Sequence, residues 1–385
     1  MLTSDVAEAR HSTARVLVSG GGIAALETAL ALDRLARGRV AVELISPRRD
    51  FVFRPRPGWT PLGAGPAARF DLEAVAAEMG ARYRSDALAA VRVAEQEVVT
   101  KRGAVLPYDA LVIAHGATAE RAVAGAVTFW TRDDEPALRQ VLAALERGEL
   151  DRVALALPAG MRWSLPLYEL AVQVADRVGS PRSRDGRVVV VTSETYPLEL
   201  FGEEAGSAVE AVLRERGIEL RAGSEPVRFA EGALTLGSGD AVEVAGAIAL
   251  PRMVGREVDG LPADQLGFLP TGPDGRVRDL DAVYAAGDAT TFPVKQGVFA
   301  GPQADAAAEH LAASLGAALE PTPFQPVLRG TLASGDSALL SLWWPSTSVA
   351  GRHLTAHLAA QSRAAVQAPT PLVEGLELEV ELAAA

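Results

Sequence analysis

The stretch VLVSGGGIAALETALAL, residues 16–32, passes from an apolar run through three consecutive glycines into an alanine-rich segment. The spacing of Gly20, Gly22 and Ala25 fits a strand–turn–helix unit. Gly20 permits the tight turn, Gly22 lets backbone approach a pyrophosphate, and Ala25 lets the helix pack closely on the strand. Gly21 lies between them in the same turn. The N–H groups and aligned peptide dipoles at the start of such a helix favour an anion, so a dinucleotide is the ligand this turn suits. A tight connection without a ligand is the plainer alternative.

Composition narrows the classes of function. A chain of 385 residues is long enough for two or more domains with their own cores. Its 37 Lys plus Arg against 49 Asp plus Glu leave a net charge of −12, so no nucleic-acid partner is expected. The opening MLTSDVAEARHSTAR lacks the apolar core of a signal peptide, and no run approaches the roughly 20 apolar residues that span a bilayer. The expected location is therefore cytoplasmic, with at most peripheral membrane contact. Zero cysteines exclude disulfides, thiolate metal sites and any dithiol relay.

Apolar runs RVLVSG, VAVELIS, ALVIAHGA, RVALALP, RVVVVTS and AVYAAGD alternate with helical patterns, which predicts an α/β fold with mostly parallel sheets. Residues 80–109 read as a β-meander with its turn at KRG, and Pro-rich segments lie at 54–66 and 321–326. Two βαβ starts, at 15–46 and 152–194, predict two Rossmann-like units, the second inserted in the first. The expected division is 15–118 with 251–318, then 119–250, then a C-terminal segment 319–385.

In a Rossmann site the second strand usually ends in Asp or Glu, which accepts hydrogen bonds from ribose hydroxyls. Here VAVELIS ends at Ser46, followed by Pro47, Arg48 and Arg49, while Glu43 lies too early. Ser46 with Arg48 suits a 2′-phosphate, so NADPH in the first unit stays open beside a solvated basic turn.

Far downstream, LDAVYAAGDATTFPVKQGVFAGPQADAAAEHLAASLG spans residues 280–316. Its strand, ending in Gly287 and Asp288, resembles the second flavin motif of the pyridine nucleotide-disulfide oxidoreductase superfamily. ALVIAHGA resembles that family's ATG element, with His115 where Thr is usual, followed by Gly116. With the first glycine turn these matches occur in family order and imply FAD. Asp288 would accept hydrogen bonds from ribityl hydroxyls. Lys295, Gln296 and Gly297 precede a helix expected to begin at Pro302, whose N-terminus would face the pyrimidine edge of the isoalloxazine.

The second unit reads VALALPAGMRWSLPLYELAVQVA, residues 153–175, with Pro158, Ala159 and Gly160 but no G-x-G-x-x-G. Binding of NAD(P)H is thereby weakened but not excluded, and Ser193 or Glu194 could still meet a ribose. This stretch resembles the sulfide:quinone oxidoreductase and flavocytochrome c sulfide dehydrogenase branch. KQGVFAGPQAD also resembles type II NADH dehydrogenases. In sulfide-oxidising members cysteines beside the flavin carry the sulfur chemistry, and here Trp163 falls near one such position. Without a thiolate no persulfide can form.

The expectation is an FAD-dependent oxidoreductase with a non-covalent flavin, no redox disulfide, and a small-molecule or quinone electron partner. An NAD(P)H dehydrogenase or ferredoxin-reductase-like enzyme is the alternative, and a flavin-binding protein without turnover is the third reading. Trp59, Trp163 and Tyr168 are candidates to line a flat apolar pocket, with Lys295, Trp163 and Tyr168 the catalytic candidates. His115 is a candidate proton carrier or a satisfied buried histidine. No metal constellation is evident, although His353 and His357 are spaced to share a helix face. The resemblance places Trp343 and Trp344 in a region that often forms a dimer interface or, in quinone-using members, faces a membrane.

Overall fold

The computed structural model describes residues 13–53, 68–131, 134–178, 187–326, 328–334 and 337–344. Trp59, Pro345, His11, His353, His357 and the acidic tail lie outside them. The architecture is mixed α/β, built on two parallel five-stranded sheets. The first runs Val283–Ala285, Ala110–Ile113, Ala14–Ser19, Val40–Ile45, Arg82–Arg84. The second runs Val127–Thr128, Gly246–Ala249, Val153–Leu157, Val188–Thr192, Glu219–Arg221. In each, the strand of the expected βαβ start sits where the order reverses, which is where open α/β sheets bind ligands at their C-terminal edge.

The central strand shows why its sequence is continuously apolar. Val16 and Val18 enter one core with the helix Ile23–Leu35, while Leu17 faces the other, with Leu88, Val98 and Leu111. Side chains alternate between faces, and both faces are covered. On one face, Ala24, Ala25 and Ala29 of the first helix share a core with Ala300, Ala304, Ala307 and Ala308 of the helix Gly297–Ser314. Alanine on both sides lets the two axes approach closely.

Two local expectations need correction. The meander is Leu88–Arg92, Glu97–Thr100 and Val105–Pro107, with its turn at Lys101 to Gly103, but Arg82–Arg84 belongs to the first sheet. Glu43 decides this, receiving Arg82 at 3.3 Å and Arg84 at 2.5 Å from the neighbouring strand. The last helix starts at Gly297, not Pro302, and runs through the proline. Pro302 gives up only the bond its N–H would have sent to Val298, which is exposed.

The strands Leu328–Ser334 and Ser337–Trp344 form an antiparallel hairpin, which carries Trp343 and Trp344. Among the described residues no helix is long and apolar enough to cross a membrane, and no cluster of three or more His, Asp or Glu could hold a metal.

Candidate functional site

Four segments distant in sequence meet at the C-terminal edge of the first sheet. Gly20 has φ +147°, and a Cβ there would lie 2.2 Å from the Ala114 carbonyl oxygen, so the glycine turn and the 114–116 loop touch as only glycine allows. Gly287, at φ +71°, leaves 3.0 Å between a would-be Cβ and Ala24, and Gly297 similarly meets Ile23 at 2.9 Å. The turn 20–22, the loop after His115, the Gly287–Asp288 turn and the start of the last helix are therefore close neighbours at this edge. Space is open over Gly22 and Gly116, where an added Cβ meets nothing within 4 Å.

Both helices that begin here leave their first N–H groups uncapped. Gly22 and Gln296 are the N-caps, no side chain at either position accepts a bond from those N–H groups, and neither first turn carries an acidic residue. Such termini are suited to anionic or acceptor groups from outside the chain.

Asp288 accepts no hydrogen bond among the described residues, yet it is half-buried, and burial pushes its carboxyl up to about 6 against the pull of Lys295. Lys295 is buried, donates to the Thr290 carbonyl, and holds its Nζ 3.6 Å from the centre of the Phe268 ring. Burial lowers its pKa to about 8, with Asp288 and Asp264 opposing. Gln296 leaves its buried Oε1 without a donor. Gln303 holds the turn itself, its Oε1 accepting the Gly287 N–H at 2.7 Å.

At the end of the second strand Ser46 is buried, and its Oγ accepts the Arg48 N–H at 3.2 Å. Tyr83 pins this corner by donating to the Arg48 carbonyl at 2.7 Å. Arg48 is exposed and lies close enough to Arg256 for the two charges to repel, which with burial lowers the Arg256 pKa. Arg256 in turn donates to the Thr118 hydroxyl and the Ala117 carbonyl. Sequence reading missed Arg256, because only the antiparallel pairing of Arg252–Val254 with Thr118–Glu120 carries it here. His115 is neutral at pH 7, because burial, then the Arg256 charge, lower its pKa to about 4.

Three candidates lie beside the second sheet. Tyr168 is fully buried in the helix Leu165–Val178, and Trp163 is buried with its ring 6.1 Å from that of Phe201, so neither lines an open flat pocket. Glu194, which with Ser193 was open to a ribose contact, has its carboxylate engaged within the chain. Its carboxylate accepts Ser164 Oγ at 2.7 Å, Tyr168 OH at 2.7 Å, Thr192 Oγ1 at 3.1 Å and the Glu199 N–H at 3.3 Å. A carboxylate has about four acceptor positions, and these four donors use them. Burial nevertheless raises its pKa, and that of Tyr168. The cavity beside it, bounded by Gly160, Arg162, Ser193 and Glu199, has a volume of about 70 Å³.

The model of the pyridine nucleotide-disulphide oxidoreductase family matches residues 168–310. An NADH dehydrogenase-like protein of Mycobacterium tuberculosis is 30% identical over 292 residues, covering 71% of this chain and 72% of that one. Among solved structures, the sulfide:quinone oxidoreductase from Aquifex aeolicus superposes with a TM-score of 0.68 at 20% identity, covering 78% of this chain and 77% of that one. A ferredoxin reductase from Rhodopseudomonas palustris gives 0.59 at 18%, with 84% and 80% covered. The structural likenesses carry the fold, and the sequence match carries the kinship: the chain belongs to the pyridine nucleotide-disulphide oxidoreductase family and is an FAD-dependent oxidoreductase.

Proposed function

We propose that the meeting point of these four segments at the edge of the first sheet holds FAD non-covalently and that electrons pass through it without a redox disulfide. The observation that supports this reading is the set of unsatisfied groups on neighbouring segments: two uncapped helix starts, the unbonded Asp288 carboxylate and the orphaned Gln296 oxygen. Gly20, Gly21, Gly22 and Ala25 would receive the pyrophosphate, with Gly287 and Asp288 at the ribityl hydroxyls. Ser46, Arg48, His115 and Gly116 would line the adenosine side, joined by Arg256. Gln296 would accept the imide N–H of the ring, and Lys295 with the Gly297 helix start would lie along its pyrimidine edge. The flavin, when bound, supplies two-electron redox chemistry, and the chain binds, orients and tunes it.

This reading keeps the domain division 15–118 with 251–318, 119–250 and 319–385, a cytoplasmic location, and a small-molecule or quinone electron partner. The absence of cysteine excludes the sulfur chemistry of a cysteine-bearing site. A second reading, an NAD(P)H dehydrogenase, is favoured by the name of the mycobacterial relative. Against it stand the Pro158 loop and the saturated Glu194, which leave a nicotinamide nucleotide neither a glycine turn nor a ribose acceptor in the usual places. Anaerobic stopped-flow mixing of the FAD-loaded protein with NADH, NADPH or menadiol decides between them. Fast bleaching by menadiol and slow bleaching by both nucleotides supports the first; saturating reduction at micromolar nucleotide establishes the second.

A further inference from the structure

A second cavity, of about 200 Å³, lies behind the Gly287–Asp288 turn. Its lining includes none of residues 20–22, 114–116 or 295–297. Phe292 and Phe324 form one wall, their rings edge to face with centroids 5.3 Å apart. The Pro-rich segment is pinned over it by the Phe324 N–H, which donates to the Pro273 carbonyl at 2.7 Å. Thr271 and Thr291 add hydroxyls, and among the described residues no charged side chain lines the space.

Gln303 also lines this cavity, and only 5% of its surface is exposed. Its oxygen is fixed toward the Gly287 N–H and the Thr290 hydroxyl, at 2.7 and 3.3 Å. The amide NH₂ must therefore point the other way, and it finds no acceptor among the described residues. That NH₂ is not among the buried atoms left without a partner, so it is reached from the cavity and can donate to an acceptor placed there.

We propose that this cavity is a binding site for a compact, uncharged aromatic molecule bearing a carbonyl oxygen. The volume exceeds the roughly 150 Å³ that admits benzene in an engineered cavity, which leaves room for one ring and a small substituent. The phenylalanine wall takes the ring, the Gln303 NH₂ takes the carbonyl, and the lack of a counter-charge excludes ions. Because Gln303 also holds Gly287, an occupant stiffens the turn that carries Asp288 without touching the nucleotide turns.

Acetophenone and cumene, nearly equal in shape but only the first with an acceptor, are the probes. Saturation-transfer NMR on the FAD-loaded protein is expected to show acetophenone binding at least tenfold tighter than cumene. Gln303→Glu keeps an acceptor for the Gly287 N–H but loses the NH₂, and is expected to weaken acetophenone tenfold or more. Thr291→Trp, from an exposed position at the mouth, fills the space and is expected to abolish binding of both, whether or not the first variant folds. Equal affinity for the two probes, no binding of either, or binding that survives Thr291→Trp overturns the proposal.

Discussion

Lowering the pH of an FAD titration tests the role given to Asp288. Without ligand its carboxyl is pushed up to about 6 by burial, against an ordinary aspartate value near 3.9. Ribityl hydroxyls donate to the carboxylate and not to the acid, so a bound flavin lowers this pKa, and binding at pH 5 releases a proton. Affinity is therefore highest above pH 6 and falls as pH drops through 6. It levels off at the pKa of the loaded form. If hydrogen bonding restores the ordinary value, the difference is about two units, so affinity falls about 50-fold between pH 7 and pH 4 and about 100-fold in the acid limit, about 3 kcal/mol. The stability of the flavin-free protein runs the opposite way. A raised folded pKa contributes stability that is complete below about 3.9 and lost as pH rises through about 6. Quenching of FAD fluorescence across this range, with calorimetry in two buffers of different ionisation enthalpy, counts the proton. Asp288→Asn is expected to flatten the profile. An affinity that is constant or grows toward acid, or an Asn variant that keeps the wild-type slope, refutes the placement of this carboxylate.

Lys295→Met is expected to lower the flavin midpoint potential by about 40 mV with FAD retained, since a charge near a helix terminus is worth at most about 2 kcal/mol; potentiometry showing no shift, or loss of the cofactor, contradicts this. Tyr168→Phe removes one donor from the buried Glu194 and is expected to cost about 2 kcal/mol in urea unfolding while the flavin spectrum stays unchanged. A changed rate of flavin reduction in that variant would place Tyr168 on the electron path after all. Burial is the main cause of the low His115 pKa of about 4 and the Arg256 charge the second, so Arg256→Ala is expected to raise it part of the way, read by NMR. An unmoved resonance would leave burial as the sole cause.

The strands, the order of the flavin motifs and the parallel sheets were legible because each rests on local periodicity or a glycine whose partner is backbone. Gly20 is the clearest instance: its need for a bare Cα follows from the Ala114 carbonyl beside it, and the spacing alone marked it. What stayed hidden depends on partners remote in sequence. Glu194 looked available for a ribose until the fold brought Ser164 and Tyr168 onto it from 30 and 26 positions away. Arg82 and Arg84 looked like the start of a meander until Glu43, 39 and 41 positions back, drew them into the first sheet. The start of the last helix was misplaced because proline's preference for a first turn outweighed, in a linear reading, a helix anchored by packing on Ile23 and Ala24.

The strand order of the first sheet sets a timetable for biosynthesis. Ile113 and Val283 carry adjacent strands, so about 170 residues separate the fourth strand from the fifth, and at 5–20 residues per second a ribosome needs on the order of ten to thirty seconds to deliver the latter. Throughout that interval the nascent first unit lacks both the Gly287–Asp288 turn and the alanine-faced helix that covers the first one. The intervening segment, whose sheet draws all its strands from residues 127–249, can complete its own pairing meanwhile. Cofactor capture is thus a late event of assembly, and a chain truncated before residue 283 would emerge with half a cradle and an exposed apolar helix face for quality-control proteases to find.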